Sequence, residues 1–282
     1  VQDGLRELAP HTDELVQLGY EEAALHADAA ASAAAERARL GLAAGYQRQE
    51  KDALGAFRAS REIVEGQGVV TLMLHLDRKD ARGIALTDRR PYLIVIGKRD
   101  APAGRLFSLW YEYAHVLLAS SRWYAGRHSV GPGDVERWCN AFAGEFLVPE
   151  ELVLQGLSGN ADIVQDTGSA DRFVTTTAAR LRVSAQAVFY RVADLLSIPS
   201  QVQKELDSLY RNRSASQKPK TSSSQKPEIP GHVTQRYKYG SLYARVVLNA
   251  RDAGAIGDLD VAGMLGLRVK RHQELASLVF GE

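Results

Sequence analysis

The chain has 282 residues, 45% hydrophobic and 24% charged, with 35 Lys and Arg against 34 Asp and Glu for a formal net charge of +1. That length holds one or two domains with a real core, and the even balance excludes a strongly basic nucleic-acid binder or an acidic solvating tail for the chain as a whole. The single cysteine, Cys139, excludes an internal disulfide framework and a multi-cysteine zinc ribbon.

Residues 1–66 are expected to form an N-terminal helical segment. From Glu21 to Val64 the sequence is rich in Ala, Glu and Arg and has no proline. Ala and straight-chain residues lose the least freedom in a helix, so one long or two stacked helices are predicted, ended by Gly66 and Gly68. Strands follow. Val69–Leu74, Ala81–Leu86 and Tyr92–Ile96 are short apolar runs, separated by the polar turns Lys79-Asp80 and Asp88-Arg89-Arg90-Pro91. They predict a small antiparallel or mixed sheet.

Helical texture returns over Arg105–Ala119 and Asp134–Leu147, and Pro149 opens a third short helix at Glu150–Leu154. These strands and helices make up a core at 67–158. Residues 159–210 read as a helical bundle. Within it, Ser184 caps an apolar-periodic helix that ends the helix-turn-helix-like run Arg180–Arg191. Residues 211–231 hold three prolines, Ser and Lys repeats and five basic residues against one acid, the composition of a disordered linker. A compact helical tail, 232–282, follows.

Chemistry concentrates in Phe107-Ser-Leu-Trp-Tyr-Glu-Tyr-Ala-His-Val-Leu-Leu118. Glu112 and His115 are three apart on a predicted helix and share a face. Zinc peptidases carry His-Glu-x-x-His on one helix because histidines at i and i+4 reach one metal, while the glutamate polarises the bound water. Here the frame is Tyr111-Glu112-Tyr113-Ala114-His115, with tyrosine where the first ligand belongs. By itself such a pair reads as structural.

The second stretch, Glu136-Arg-Trp-Cys-Asn-Ala-Phe-Ala-Gly-Glu-Phe-Leu-Val-Pro149, changes the weighting. Together the two segments resemble the ImmA/IrrE metallopeptidase family. Phe107, Leu109, Glu112, His115, Leu117 and Leu118 match its active-site helix. Glu136, Cys139, Asn140, Phe142, Ala143, Leu147 and Pro149 match the next one. The resemblance implies an α+β fold with a zincin-like core, flanked by helical segments of which one is helix-turn-helix-like. It also implies zinc held by His115 and Glu136, Glu112 as catalytic base, and Tyr111 at the first-ligand position. Family members typically cleave a repressor and so switch genes on.

Tyr111 breaks the carry-over. A catalytic zinc takes three protein ligands and an open position, and a phenol must lose a proton of pKa ~10 to bind as a neutral imidazole does. Either Tyr111 points away and the site stays empty, or a further ligand restores the count, with His128 nearest in sequence. The remaining routes are a tyrosinate-ligated metal and an artificial substitution.

Other candidates carry less. His75 reads as a core or edge histidine of a strand, and His11, His26, His232 and His272 show no metal spacing. Cys139 is expected to be buried. Trp110, Trp123 and Trp138 are core residues before they are groove residues. Glu145 is expected to be solvated, and Arg180, Arg182 and Arg191 could touch phosphates if the helical bundle binds DNA.

The expected function is gene regulation through recognition of a transcriptional repressor or similar protein partner, with cleavage only if zinc is retained. The competing reading is a DNA-binding or scaffold regulator using the 170–200 helices. No run approaches the ~20 apolar residues that cross a bilayer and no signal-peptide pattern opens the chain, so a cytoplasmic location without a membrane partner is expected. The first residue is Val1, as in a fragment or a trimmed product.

Overall fold

The computed structural model describes residues 1–15, 28–76, 81–120, 132–159, 161–216 and 230–281. The fold is α+β, mostly helical around one three-stranded sheet. Helix α1 spans Gln2–Leu8, α2 Ala29–Arg39 and α3 Ala53–Gly66. Asp28 and Asp52 start the latter two, each carboxylate accepting a backbone N–H of the first turn. Strands β1 (Val70–Leu74), β2 (Gly83–Leu86) and β3 (Leu93–Gly97) lie within two residues of the three apolar runs. The turn at Lys79-Asp80 lies outside the described residues.

The sheet order is β1-β3-β2, with β1 parallel to β3 and β2 antiparallel to it. Both faces of β1 and β3 are covered, which is why these strands read as unbroken apolar runs. One face, through Val69, Met73, Ile94 and Ile96, joins the large core formed with α3, α4 (Pro102–Ser120) and α5 (Pro132–Leu147). That core continues into α6 (Glu150–Leu157), α7 (Thr167–Leu181), α8 (Ala185–Leu195) and α9 (Ser200–Ser216). Ser184 caps α8 by accepting the Ala187 N–H at 3.1 Å. Residues 211–216, expected to begin the linker, continue α9 instead.

The other face, through Val70, Leu72, Leu93 and Val95, packs on α10 (Gly231–Asp252) and shares a second core with α1, α11 (Asp258–Leu265) and α12 (His272–Phe280). The helical tail is therefore the second cover of the sheet. Strand β2 is the exception to double coverage: Ala85 packs on the large core, while Ile84 and Leu86 are exposed.

The tail is fastened at a break in α10. Gly240 has φ +80 and ψ 169, a conformation that an L-residue resists, and the helix restarts at Ser241. The buried Glu65 carboxylate takes the place of the missing turn, accepting the N–H groups of Ser241 at 2.9 Å and Leu242 at 3.1 Å. Its partner Arg61, also buried, donates to Glu65 at 3.0 Å, to the Thr71 carbonyl at 2.6 Å and to the Tyr237 carbonyl at 2.5 Å. A Cβ on Gly240 would sit 2.0 Å from Glu65 Oε1. Glu65→Ala leaves the Arg61 guanidinium buried without its counter-charge, so a loss of about 3–5 kcal/mol is expected. Urea unfolding measures it, and a Glu65→Leu, Arg61→Met pair should lose less than either single change.

Candidate functional site

Helix α4 buries Leu106, Leu109, Trp110, Tyr113, Ala114 and Leu117 at three-to-four-residue spacing. The face left over carries Tyr111, Glu112 and His115 towards β2 and α5, and they line one cleft with Gly83, Ala85 and Glu136. His115 Nε2 lies 3.7 Å from Glu136 Oε1, so the two residues aligned with family ligands do converge. The Tyr111 ring packs edge-on against His115, centroids 5.1 Å apart at 77°. Burial holds the His115 imidazole below its ordinary pKa. It is therefore neutral at pH 7, and its contact with Glu136 is not a charged pair there.

Glu112 is 6% exposed and lies against β2, where its carboxylate takes a backbone hydrogen bond from Ala85. Burial raises its pKa to about 7, the Ala85 bond opposing the shift. Gly83 makes this possible, because a Cβ there would stand 2.7 Å from Glu112 Oε1. Reasoning from sequence passed over Gly83, although a glycine inside an apolar strand run is a sign of close approach.

The cleft has two parts. About 450 Å3 lies over His115, Glu136 and β2. A larger part of about 1000 Å3 extends past Tyr111 and Glu112, which line both. Helix α8 lines it along its length through Gln186, Ala187, Tyr190, Arg191 and Asp194, together with Phe107 and Asn140.

The side chains do not fit a three-ligand zinc. Among the described residues no group of three His, Cys, Asp or Glu side chains could hold a metal. His115 and Glu136 supply two donors, and the third family position is a phenol that binds well only after losing its proton. His128, the sequence candidate for a replacement, lies outside the described residues, as do His26 and Trp123.

Several expectations need correcting. Glu145 is buried, not solvated: Arg37 donates to it at 3.0 Å, Arg191 ion-pairs with it, and it accepts the Glu150 N–H at 3.1 Å. Arg191 is thereby committed to the interior, and Arg182 Nε donates to the Glu50 carbonyl at 2.9 Å, so neither is available to phosphates. His75 is exposed just beyond β1 and is neither a core residue nor within the strand. Trp110 is core, stacked on Phe146 at 3.8 Å, and Trp138 stacks on Phe142. Cys139 is fully buried, and burial pushes its thiol pKa far up, with Glu136 and Glu112 adding to the shift.

The Glu112 shift has a signed consequence for the metal-free protein. Below about pH 4.5 the carboxyl is protonated in both states, and above about 7 the folded state alone carries the cost of burying the charge. Stability should fall by about 3 kcal/mol across that window and then level off. Glu112→Gln should lack this fall, and denaturant midpoints at pH 4.5 and 8 compare the two. Equal pH slopes in both proteins would sink the assignment.

No curated protein matches the chain, and no helix of the described residues is long and apolar enough to cross a membrane. Residues 64–193 match the peptidase family described as the IrrE N-terminal-like domain. The matched span runs from the end of α3 through the sheet, α4, α5 and the cleft to α8. This part of the chain belongs to the ImmA/IrrE family of metallopeptidase-fold proteins.

Proposed function

We propose that this chain is an ImmA/IrrE-type regulator that recognises an extended segment of a protein partner, a transcriptional repressor or similar protein, and holds it without cutting it. The observation that carries this reading is the donor set. His115 and Glu136 meet at 3.7 Å, and no third ligand joins them among the described residues.

The cleft supports recognition independently of hydrolysis. Strand β2 lies at a sheet edge beside the cleft, and a free edge can pair with a partner's backbone as an added strand. Alternate side chains of that partner would enter the spaces on either side of Tyr111. A holding role needs shape and hydrogen bonds, which survive the loss of a metal ligand. Of the three arginines that the competing use of the 170–200 helices as a DNA reader would employ, Arg182 and Arg191 are bound within the protein, while Arg180 is exposed.

Elemental analysis of zinc per chain tests the reading, on the native chain and on Tyr111→His side by side. The native chain should be near zero, and Tyr111→His should approach one zinc per chain. Proteolysis of a repressor segment should appear only in the refilled variant and should disappear again when Glu112→Gln is added. A native chain carrying close to one zinc would overturn the proposal and send the search to His128.

A further inference from the structure

We infer that the larger part of the cleft is a pocket for a tyrosine side chain of the bound segment, its ring admitted by Gly144 and its hydroxyl paired with Ser108. The inference rests on the holding role proposed for the cleft and names what the cleft selects.

Three glycines line this part, and two of them serve the chain itself. A Cβ on Gly83 would stand 2.7 Å from Glu112 Oε1, and one on Gly104 would stand 2.7 Å from Asp100 Oδ2. Gly144 differs. It lies inside α5, where glycine weakens a helix relative to alanine, and its φ is not positive. A Cβ there would meet only Arg191 Cδ, at 3.9 Å, which is ordinary contact. The fold gains nothing from leaving that position bare, and the space left bare belongs to the cleft. Ala141, one turn earlier on α5, and Ala187 of α8 line the same space, so both helices leave room for a flat ring.

Ser108 is an independent sign of a ligand at the same place. It stands on α4 one turn before Tyr111, lines the same space and is 7% exposed. Its hydroxyl has no hydrogen-bond partner among the described residues. Ser60, by contrast, returns its hydroxyl to the Ala56 carbonyl one turn back, at 2.7 Å. A buried hydroxyl left unpaired is costly, and a polar tip brought by a ligand would pair it. The walls choose the rest of that ligand. Phe107, Tyr111 and Tyr190 supply three rings, while the exposed Arg82 and Arg137 stand at the rim, where a cation suits the negative face of a ring. Leucine would fill the space but leave Ser108 unpaired, and an acid would match the arginines but not the rings. Tyrosine satisfies all three.

A phage-displayed library of random dodecapeptides, selected on the full chain and counter-selected on Gly144→Leu, tests this. The enriched sequences should align on one tyrosine. In a labelled synthetic peptide from that pool, replacing the tyrosine by phenylalanine should weaken binding to the native chain about tenfold, the worth of one buried hydrogen bond. Ser108→Ala should bind the two peptides equally. Gly144→Leu should lose the peptide while melting no lower than the native chain, which separates a filled pocket from a damaged fold. Alignment on leucine or on an acid overturns the inference, as does an equal tyrosine preference in Ser108→Ala. If counter-selection removes every enriched sequence, the inference falls and holding is left to the part over His115 and Glu136. If the native chain enriches nothing, the holding role falls with it.

Discussion

A buried carboxylate fills the gap where a helix breaks, and the two covers of the sheet meet there. Glu65 replaces one turn of α10 by capping Ser241 and Leu242, while Arg61 ties the same carboxylate to Thr71 of β1 and to the Tyr237 carbonyl. Neither charge could remain buried alone. Together they join α3, the sheet and the C-terminal helices in one network whose groups satisfy each other. The cleft inherits its rigidity from this arrangement, because β1 and β3 are clamped from both faces and hold β2 in place.

A second buried cluster does the corresponding work behind the cleft. Glu145 binds Arg37 of α2 and Arg191 of α8 and takes the first free N–H of α6, so four helices converge on one carboxylate. It stands on α5, the helix that also carries Glu136. The geometry around His115 and Glu136 therefore persists without any help from a metal. A site supported in this way can lose a ligand and keep its shape.

Much of this was legible in the residues. Apolar runs bounded by turn residues located the three strands, and the paired segments Phe107–Leu118 and Glu136–Pro149 located the cleft helices. What stayed hidden depended on contacts distant in sequence. Glu145 looks like any acid on a helix until Arg37, 108 residues earlier, is seen beside it. Gly83 looks like a flaw in a strand until the Glu112 carboxylate occupies the space a Cβ would need. The helical tail showed periodicity but no sign of its destination, because either a free surface or a sheet face could have covered its apolar side. The linker composition blurred the end of α9, where polar residues continue a helix already nucleated.

The second core has a consequence for how the protein is made. It joins Leu5 and Leu8 to Leu275 and Val279, and Arg245 reaches back across 231 residues to Glu14. Contacts of that span close late, and a chain emerging from the ribosome N-terminus first has the cleft segments available long before α10 exists to cover the sheet. Until the last fifty or so residues emerge, Val70, Leu72, Leu93 and Val95 have no cover and Glu65 has no helix end to cap. A nascent chain halted before Gly231 would expose an apolar sheet face to chaperones and proteases. Formation of α10, α11 and α12 is thereby the step that closes the second core and covers the sheet.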